Sequence, residues 1–321
     1  MNTPPSTELT PDDPLVKSIL DALDQLFGLH PGHRPVHAKG AMCSGTFTPS
    51  PAAATLTCAI HASQPSTPVL VRFSDFAGVP MIPDNDPNGS SPRGLGIRFQ
   101  LGEHVHTDIV GHSADGFPTR TGEEFLEFAR AIAASPPTAP HPTPIEAFVM
   151  SHPAALRFVQ MPKPIPTSFA RESFFGVTAL KFTNAAGVSR FGRFRILPVA
   201  GNDFLDAAAA AKQPPNFLFD ELSARLAKEP IKFRIVVQLA EVGDDVNDAT
   251  AAWPASRTNL DFGIITITAR ADDANPEIRK VIFDPIPRLD GMGPSDDPLL
   301  AVRAAIYLLS GRRRRAAAAA H

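Results

Sequence analysis

The only tyrosine of this 321-residue chain, Tyr307, lies in an apolar stretch and has an arginine four residues before it. The stretch at 299–309 is long enough for a helix, and residues at i and i+4 lie on one helix face. The guanidinium of Arg303 therefore lies beside Tyr307 and favours its phenolate form. A phenolate suits ferric iron, and an axial tyrosine is one of the few ways in which proteins hold haem iron.

Two more residues are of types that are common in catalytic and binding sites. Arg72 lies inside an apolar segment at 69–74, where a buried guanidinium requires an anionic partner. His37 follows a valine at a predicted strand start, where a structural histidine is commoner than a catalytic one. From residue types alone, both interpretations of His37 stay open.

Other candidate motifs lead to no assignment. Residues 93–96 (RGLG) run into a strand, whereas a phosphate-binding loop must open a helix whose amide groups face the anion. His104, His106 and His112 are close in sequence, and the first two would share a strand face. No carboxylate has the spacing that completes a zinc site, so exposed strand histidines are the favoured interpretation.

Hydrophobic patterning predicts the elements that hold these residues. Helical spacing of apolar residues predicts a helix at each of 15–27, 122–134 and 299–309, and one or two helices within 204–228. Runs rich in Val, Ile, Thr and Phe predict antiparallel strands at 69–74, 96–100, 176–182, 190–197, 231–239 and 262–269. The expected fold class is α+β, an antiparallel β-barrel with surrounding helices.

Composition excludes several classes of partner. Apolar residues make up 43% and charged residues 20%, and the net charge of -3 argues against a nucleic-acid partner. No secretory signal and no run of roughly 18 apolar residues is visible, so we expect a cytoplasmic protein without a membrane partner.

Cys43 and Cys58 are expected to be reduced and without a role. A homodimer is expected only because twofold association is the commonest kind.

Six segments, in chain order, resemble the haem catalases and especially the shorter catalase-related peroxidases. They are residues 36–40 (VHAKG), 71–74 (VRFS), 93–99 (RGLGIRF), 108–111 (DIVG), 174–177 (FFGV) and the pair Arg303 and Tyr307. Each motif is weak alone, but together they cover the chain from about residue 34 to residue 314. The resemblance implies a truncated catalase-like barrel with haem b, an iron cofactor.

The resemblance also implies catalytic roles. His37 is the expected distal acid-base residue, and Ser74 is expected to hydrogen-bond its other ring nitrogen. Tyr307 is the expected axial ligand of the iron, with Arg303 holding it as phenolate.

Further residues are implied as haem contacts. Arg34 and Arg72 are expected to pair with the propionates, and Arg314, within a run of four arginines, fits a third such partner. Phe125 is expected to stack on the haem. Val36 takes the position of the valine that guards the catalase channel, where the related allene oxide synthases carry threonine.

Two departures from the family pattern are visible. Catalases carry a distal asparagine where this chain reads Gly111-His112-Ser113, and an ungapped match places Ser113 at that position. A serine hydroxyl donates a hydrogen bond with a shorter reach, and His112 or Asp115 are candidates to compensate. The chain also ends soon after the tyrosine helix, so the NADPH and the interlocked tetramer of full catalases are not expected.

The resulting expectation is a haem-dependent peroxidase that serves in the response to oxidative stress. It reduces hydrogen peroxide or organic hydroperoxides with a small organic electron donor and has weak catalase activity. The alternatives are a haem enzyme that converts fatty-acid hydroperoxides, a non-enzymatic haem sensor or carrier, and a barrel that binds an apolar ligand. The expected organisation is a helical arm at 1–33, a haem-binding barrel at 34–315 and an alanine-rich tail at 316–321.

Overall fold

A computed structural model describes residues 9–272 and 275–319 of the chain. Residues 1–8 of the predicted arm and residues 320–321 of the predicted tail lie outside the described residues. Residues 316–319 of that tail continue the last helix.

Ten of the strands in the described residues form one large antiparallel sheet that closes on itself, and two form a small separate sheet. Eight strands form the barrel in the order β1-β2-β3-β4-β6-β8-β10-β11, and β11 pairs with β1 to close it. The predicted fold class is therefore confirmed. Twelve strands occur in the described residues: β1 Gly40–Pro49, β2 Thr67–Ser74, β3 Gly94–Gly102, β4 Val105–His112, β5 Ile165–Pro166, β6 Phe174–Phe175, β7 Leu180–Thr183, β8 Ser189–Pro198, β9 Phe204–Leu205, β10 Ile231–Leu239, β11 Asn259–Arg270 and β12 Met292–Pro294.

The helices lie around this barrel. Within the described ranges they are α1 Pro14–Phe27, α2 Ala53–Leu56, α3 Gly122–Ala133, α4 Pro144–Ser151, α5 Pro153–Gln160, α6 Ala207–Ala211, α7 Phe217–Leu226, α8 Pro276–Lys280 and α9 Pro298–Ala319. The side chain of Asp13 caps α1 and that of Thr121 caps α3, which satisfies backbone N–H groups in each first turn. In the part of the chain that is described, no helix has both the length and the apolar character of a membrane span.

Along β2, side chains point alternately into the barrel core and towards a cavity on the outer face of the barrel. Val69, Val71 and Phe73 point into the barrel and are at most 1% exposed, in a core that is rich in phenylalanine. Arg72 and Ser74 alternate with them and therefore lie on the outer face. The strand thus places its polar side chains outside the barrel and under the helices.

A second apolar cluster attaches the helices to this outer face. Val16, Ile19 and Leu20 of α1 pack against Val302 and Ile306 of α9. Burying each of these side chains stabilises the fold by about 1.5–3 kcal/mol. This packing fixes the position of α9 and hence of Tyr307.

Three predicted elements differ in detail from the structure. The helix predicted at 299–309 is longer, because α9 continues to Ala319. Of the strand predicted at 176–182, only residues 180–182 form a strand, as part of β7, whereas residues 176–179 form none and follow the two-residue strand β6. The segment predicted as one or two helices within 204–228 contains two, α6 and α7, but it begins with the short strand β9. Pro214 and Pro215 lie between α6 and α7, and proline lacks the N–H that a helix interior requires.

Candidate active site

One cavity lies between the outer face of β2–β4 and the helices α1, α3 and α9. Nine of the ten predicted site residues line it. Those nine come from the segment before β1, from β2, from α3 and from α9, and they are Arg34, Val36, His37, Arg72, Ser74, Phe125, Arg303, Tyr307 and Arg314. The tenth, Ser113, is not among the lining residues.

A glycine in β3 makes room for the distal imidazole. Gly94 pairs with Ser74 on one side and with His112 on the other. A Cβ atom on Gly94 would lie 2.6 Å from Nδ1 of His37 and 2.6 Å from Oγ of Ser74. The ring of His37 therefore lies directly against the strand, which only glycine permits.

Hydrogen bonds to His37 determine which ring nitrogen carries the proton. Nδ1 lies 3.0 Å from the carbonyl oxygen of Asp75 and 3.2 Å from Oγ of Ser74. A carbonyl oxygen only accepts hydrogen bonds, so Nδ1 donates and carries the hydrogen. In the neutral ring Nε2 then has a free lone pair, as a general base requires.

The surroundings of His37 keep it neutral. Burial, followed by the guanidinium of Arg72 and then by His112, lowers the pKa of His37 from 6.5 to about 3. The hydrogen bond to Asp75 opposes this effect but is the smaller contribution. His37 is therefore an unprotonated base at neutral pH.

Helix α9 brings the predicted phenol and guanidinium together. Nη2 of Arg303 donates to the hydroxyl oxygen of Tyr307 at 3.4 Å, and the guanidinium lies 5.9 Å from the centre of the ring. Both side chains line the cavity. The i,i+4 contact expected from the sequence is present in the structure.

Three arginines converge on the same cavity. Nη2 of Arg34 donates to the carbonyl oxygen of Val281 at 3.1 Å, and Nη1 of Arg314 donates to that of Arg279 at 2.7 Å. Burial, and then the charges of Arg72 and Arg314, lowers the pKa of Arg34 well below its usual value. Among the described residues, neither Arg34 nor Arg314 has a carboxylate partner.

This set of side chains fits a haem. Tyr307 would bind the iron, and Arg34, Arg72 and Arg314 supply positive charge for the two propionate carboxylates. The ring of Phe125 lines the cavity and stacks on Phe117 with centroids 6.0 Å apart, which provides an aromatic wall for a flat ligand. The presence of three guanidinium groups in one cavity wall is the observation that most favours such an anionic ligand.

The structure corrects the prediction for Ser113. Its Oγ accepts a hydrogen bond from the backbone N–H of Arg93 at 2.9 Å and lies beside the carboxyl group of Glu172, away from the cavity. Its neighbour His112 lines the cavity instead. His112 is the last residue of β4 and Ser113 follows the strand with its Oγ bonded to Arg93, so only His112 of the two lies in the cavity wall.

The interpretation of the other histidines also changes. His104 lies in the turn between β3 and β4 with a side chain 93% exposed, so it shares no strand face with His106. The ring of His106 lies 3.4 Å from Asp108, and His112 faces the cavity. The described residues contain no group of three or more His, Cys, Asp or Glu side chains that would hold a metal ion.

Comparison with known proteins agrees with this geometry. A model of the family described as Catalase matches residues 30–320. A catalase-related peroxidase of Mycolicibacterium paratuberculosis is 33% identical over 95% of both chains, and one of Synechococcus elongatus is 33% identical over 96% of this chain and 90% of its own. A fungal catalase structure superposes with a TM-score of 0.78 at 20% identity; the match covers 92% of this chain and 62% of that one. The chain therefore belongs to the catalase family.

Proposed function

We propose that this chain is a haem b-dependent peroxidase that reduces hydrogen peroxide or organic hydroperoxides with a small organic electron donor. The observation that carries the proposal is that an imidazole base and a phenol line the same cavity. His37 presents a neutral imidazole with a free Nε2 lone pair, and Tyr307 presents a phenol held by Arg303. The catalase family comprises oxidoreductases that act on peroxide, so this activity is also the one that family membership supports.

Different residues of the cavity have different roles in cleaving the O–O bond. When bound, a haem would supply the iron and the two electrons that reduce the peroxide, and the organic donor would return those electrons. His37 takes the proton from one peroxide oxygen through Nε2 and delivers it to the departing oxygen, as a base and then as an acid. The guanidinium of Arg303 stabilises the phenolate of Tyr307, and Arg34, Arg72 and Arg314 hold the carboxylates.

The choice of an organic donor over a second peroxide rests on two observations. Two relatives that this chain covers over 90% or more of their own length are named catalase-related peroxidase. The matched relatives named catalase are covered over a smaller part, such as 39% of catalase A of Emericella nidulans. We therefore propose that oxygen release is a minor activity.

The first test is an absorption spectrum of the purified protein, expressed with haem available and recorded before and after peroxide is added. A ferric haem spectrum that changes with peroxide and returns when a phenolic donor is added is the expected result. Rapid oxygen release without a donor would instead favour catalase activity. A colourless protein after reconstitution with haem would refute the proposal.

The role of Tyr307 has its own test. Tyr307→Phe removes only the hydroxyl group, so the variant is expected to lose haem or to bind it with an altered spectrum. Phe125→Leu is the matched control, because it removes an aromatic ring from the same cavity without removing an oxygen ligand. An unchanged spectrum in Tyr307→Phe would contradict iron ligation by Tyr307.

The cavity wall supports a second candidate, the conversion of fatty-acid hydroperoxides on the same haem. Phe117, Phe128 and Phe158 line the cavity and form an apolar surface that suits an acyl chain. Turnover of a fatty-acid hydroperoxide without any donor, faster than that of hydrogen peroxide with one, would favour this candidate.

A further inference from the structure

His112 lies beside His37 in the cavity. It ends β4 and pairs with Gly94 of β3, the glycine whose missing side chain leaves room for the ring of His37. The two imidazoles thus flank one glycine, and both line the cavity. They are close enough for a charge on His112 to lower the pKa of His37.

The backbone determines the tautomer of His112. The N–H of Ala114 donates to Nδ1 of His112 at 3.3 Å. A backbone N–H only donates, so this nitrogen is the acceptor and the hydrogen is on Nε2. Burial, followed by the charge of Arg303, lowers the pKa of His112 to about 4, which keeps the ring neutral.

The Nε2–H group of His112 is a buried donor without a partner in the described part of the chain. Buried polar groups of folded proteins are almost always hydrogen-bonded, so a donor of this kind in a cavity wall indicates a ligand. The two rings are also complementary. Nε2 of His37 accepts a hydrogen bond and Nε2 of His112 donates one, and a peroxide can do both at once.

We propose that His112 is a second catalytic residue, which donates a hydrogen bond from Nε2 to the peroxide opposite His37. In this chain His112 takes the role that the distal asparagine has in catalases. The inference rests on the proposed peroxidase function. When His37 takes the proton of the peroxide, the negative charge that remains on the oxygen is stabilised by the Nε2–H of His112. His112 keeps its own proton throughout.

The other polar residues nearby are already engaged. The hydroxyl of Ser113 faces Arg93 and Glu172, as described above. The carboxylate of Asp115 accepts a hydrogen bond from Arg195 and is an acceptor rather than a donor. His112 is therefore the residue that the geometry selects for the peroxide.

The test uses the ferric haem protein and fluoride, an iron ligand that accepts hydrogen bonds but donates none. His112→Leu removes the donor, whereas His112→Asn replaces it with an amide N–H. His104→Asn is the matched control, since His104 is exposed and has a φ of 60°, which asparagine tolerates. Haem content and thermal unfolding are measured first, so that only folded, haem-loaded variants are compared.

The expected result is that His112→Leu weakens fluoride binding about tenfold or more and slows the reaction with hydrogen peroxide to a similar degree. His112→Asn should bind fluoride more tightly than the leucine variant, and His104→Asn should match the wild type. Wild-type fluoride affinity in His112→Leu, or no recovery in His112→Asn, would overturn the role of His112 alone. A wild-type protein that binds no haem would overturn the peroxidase proposal and this inference with it.

Discussion

His37 has a backbone conformation that costs free energy. Its φ is 57°, in the left-handed region that non-glycine residues rarely adopt, at a cost of about 1–3 kcal/mol. The segment after β2 holds it there: the N–H of His37 donates to the carbonyl oxygen of Phe76 at 2.6 Å, and Nδ1 donates to that of Asp75. The ring of Phe76 meets the imidazole edge-on at 5.8 Å. The same two residues thus fix both the backbone and the ring of the proposed base.

Replacing His37 tests its chemical role directly. His37→Ala should keep its haem spectrum, because His37 is not a proposed iron ligand, and should lose about 10²- to 10⁴-fold in peroxide turnover. Turnover is measured by stopped-flow absorption with His104→Asn as the control. Turnover near the wild-type level would remove the acid-base assignment and favour a haem sensor or carrier.

The dependence of turnover on pH follows from the pKa of His37. A base is lost when the pH falls through its folded-state pKa, which burial and Arg72 lower to about 3. The rate constant kcat/KM for peroxide should therefore show no protonation step of His37 near pH 6.5, and the loss of this base should begin only below about pH 4. Rapid pH jumps from neutral solution separate this effect from acid unfolding. A loss centred at pH 6.5 that is absent in His37→Ala would show that His37 is solvated rather than buried.

The sequence predicted nine residues of the cavity wall, but it named His112 only as a candidate to compensate for the missing asparagine. The spacing of Arg303 and Tyr307 on an apolar helix was sufficient for that pair, because i,i+4 geometry is local. The choice between His112 and Ser113 depends on the pairing of β4 with β3, which places His112 beside Gly94. A shift of one residue exchanges the faces of a strand, so a match of motifs alone does not determine which of two neighbours faces the cavity.

The first residue of strand β3, Gly94, determines how closely the loop containing His37 can approach the sheet. In Gly94→Ala the new Cβ would lie 2.6 Å from both His37 Nδ1 and Ser74 Oγ. The ring of His37 must then move from its hydrogen bond to Asp75, and peroxide turnover is expected to fall about tenfold or more while haem stays bound.

Gly102→Ala, at the other end of the same strand, is the matched control for this change. Its Cβ would have its nearest neighbour, Val105, at 3.8 Å, an ordinary contact. Turnover by this variant should equal that of the wild type. Equal turnover in the Gly94 variant as well would show that the position of His37 does not depend on this contact.

Elements with strong local patterns were predictable to within a residue or two, and others were not. The helix predicted at 15–27 is α1, Pro14–Phe27, because its apolar face and the Asp13 cap are both visible in the sequence. The two-residue strand β6 has no local periodicity. It is defined by its pairing with β4 and β8, which is long-range in the chain and completes the barrel.

The whole molecule brings together cationic residues from opposite ends of the chain. Arg34 precedes the first strand and Arg314 lies near the end of α9, yet both donate to the carbonyl oxygen of Val281, at 3.1 and 3.3 Å. Closure of the barrel and the packing of α1 against α9 hold them there, beside Arg72. The fold therefore keeps three like charges together, and an anionic ligand would relieve their repulsion.

This arrangement predicts opposite effects on stability and on haem binding. Arg34→Gln removes one of the three charges, so the haem-free protein should unfold at a higher temperature than the wild type. Haem affinity should fall about tenfold, so the stabilisation that haem provides at a fixed concentration should decrease by about 1.4 kcal/mol.

Thermal unfolding with and without haem measures both effects. Arg120→Gln is the control, because Arg120 is 56% exposed and lies outside the cavity, and it should change neither quantity. If Arg34→Gln instead destabilises the haem-free protein, the hydrogen bond to Val281 outweighs the repulsion, and the arginines would not by themselves require an anionic ligand.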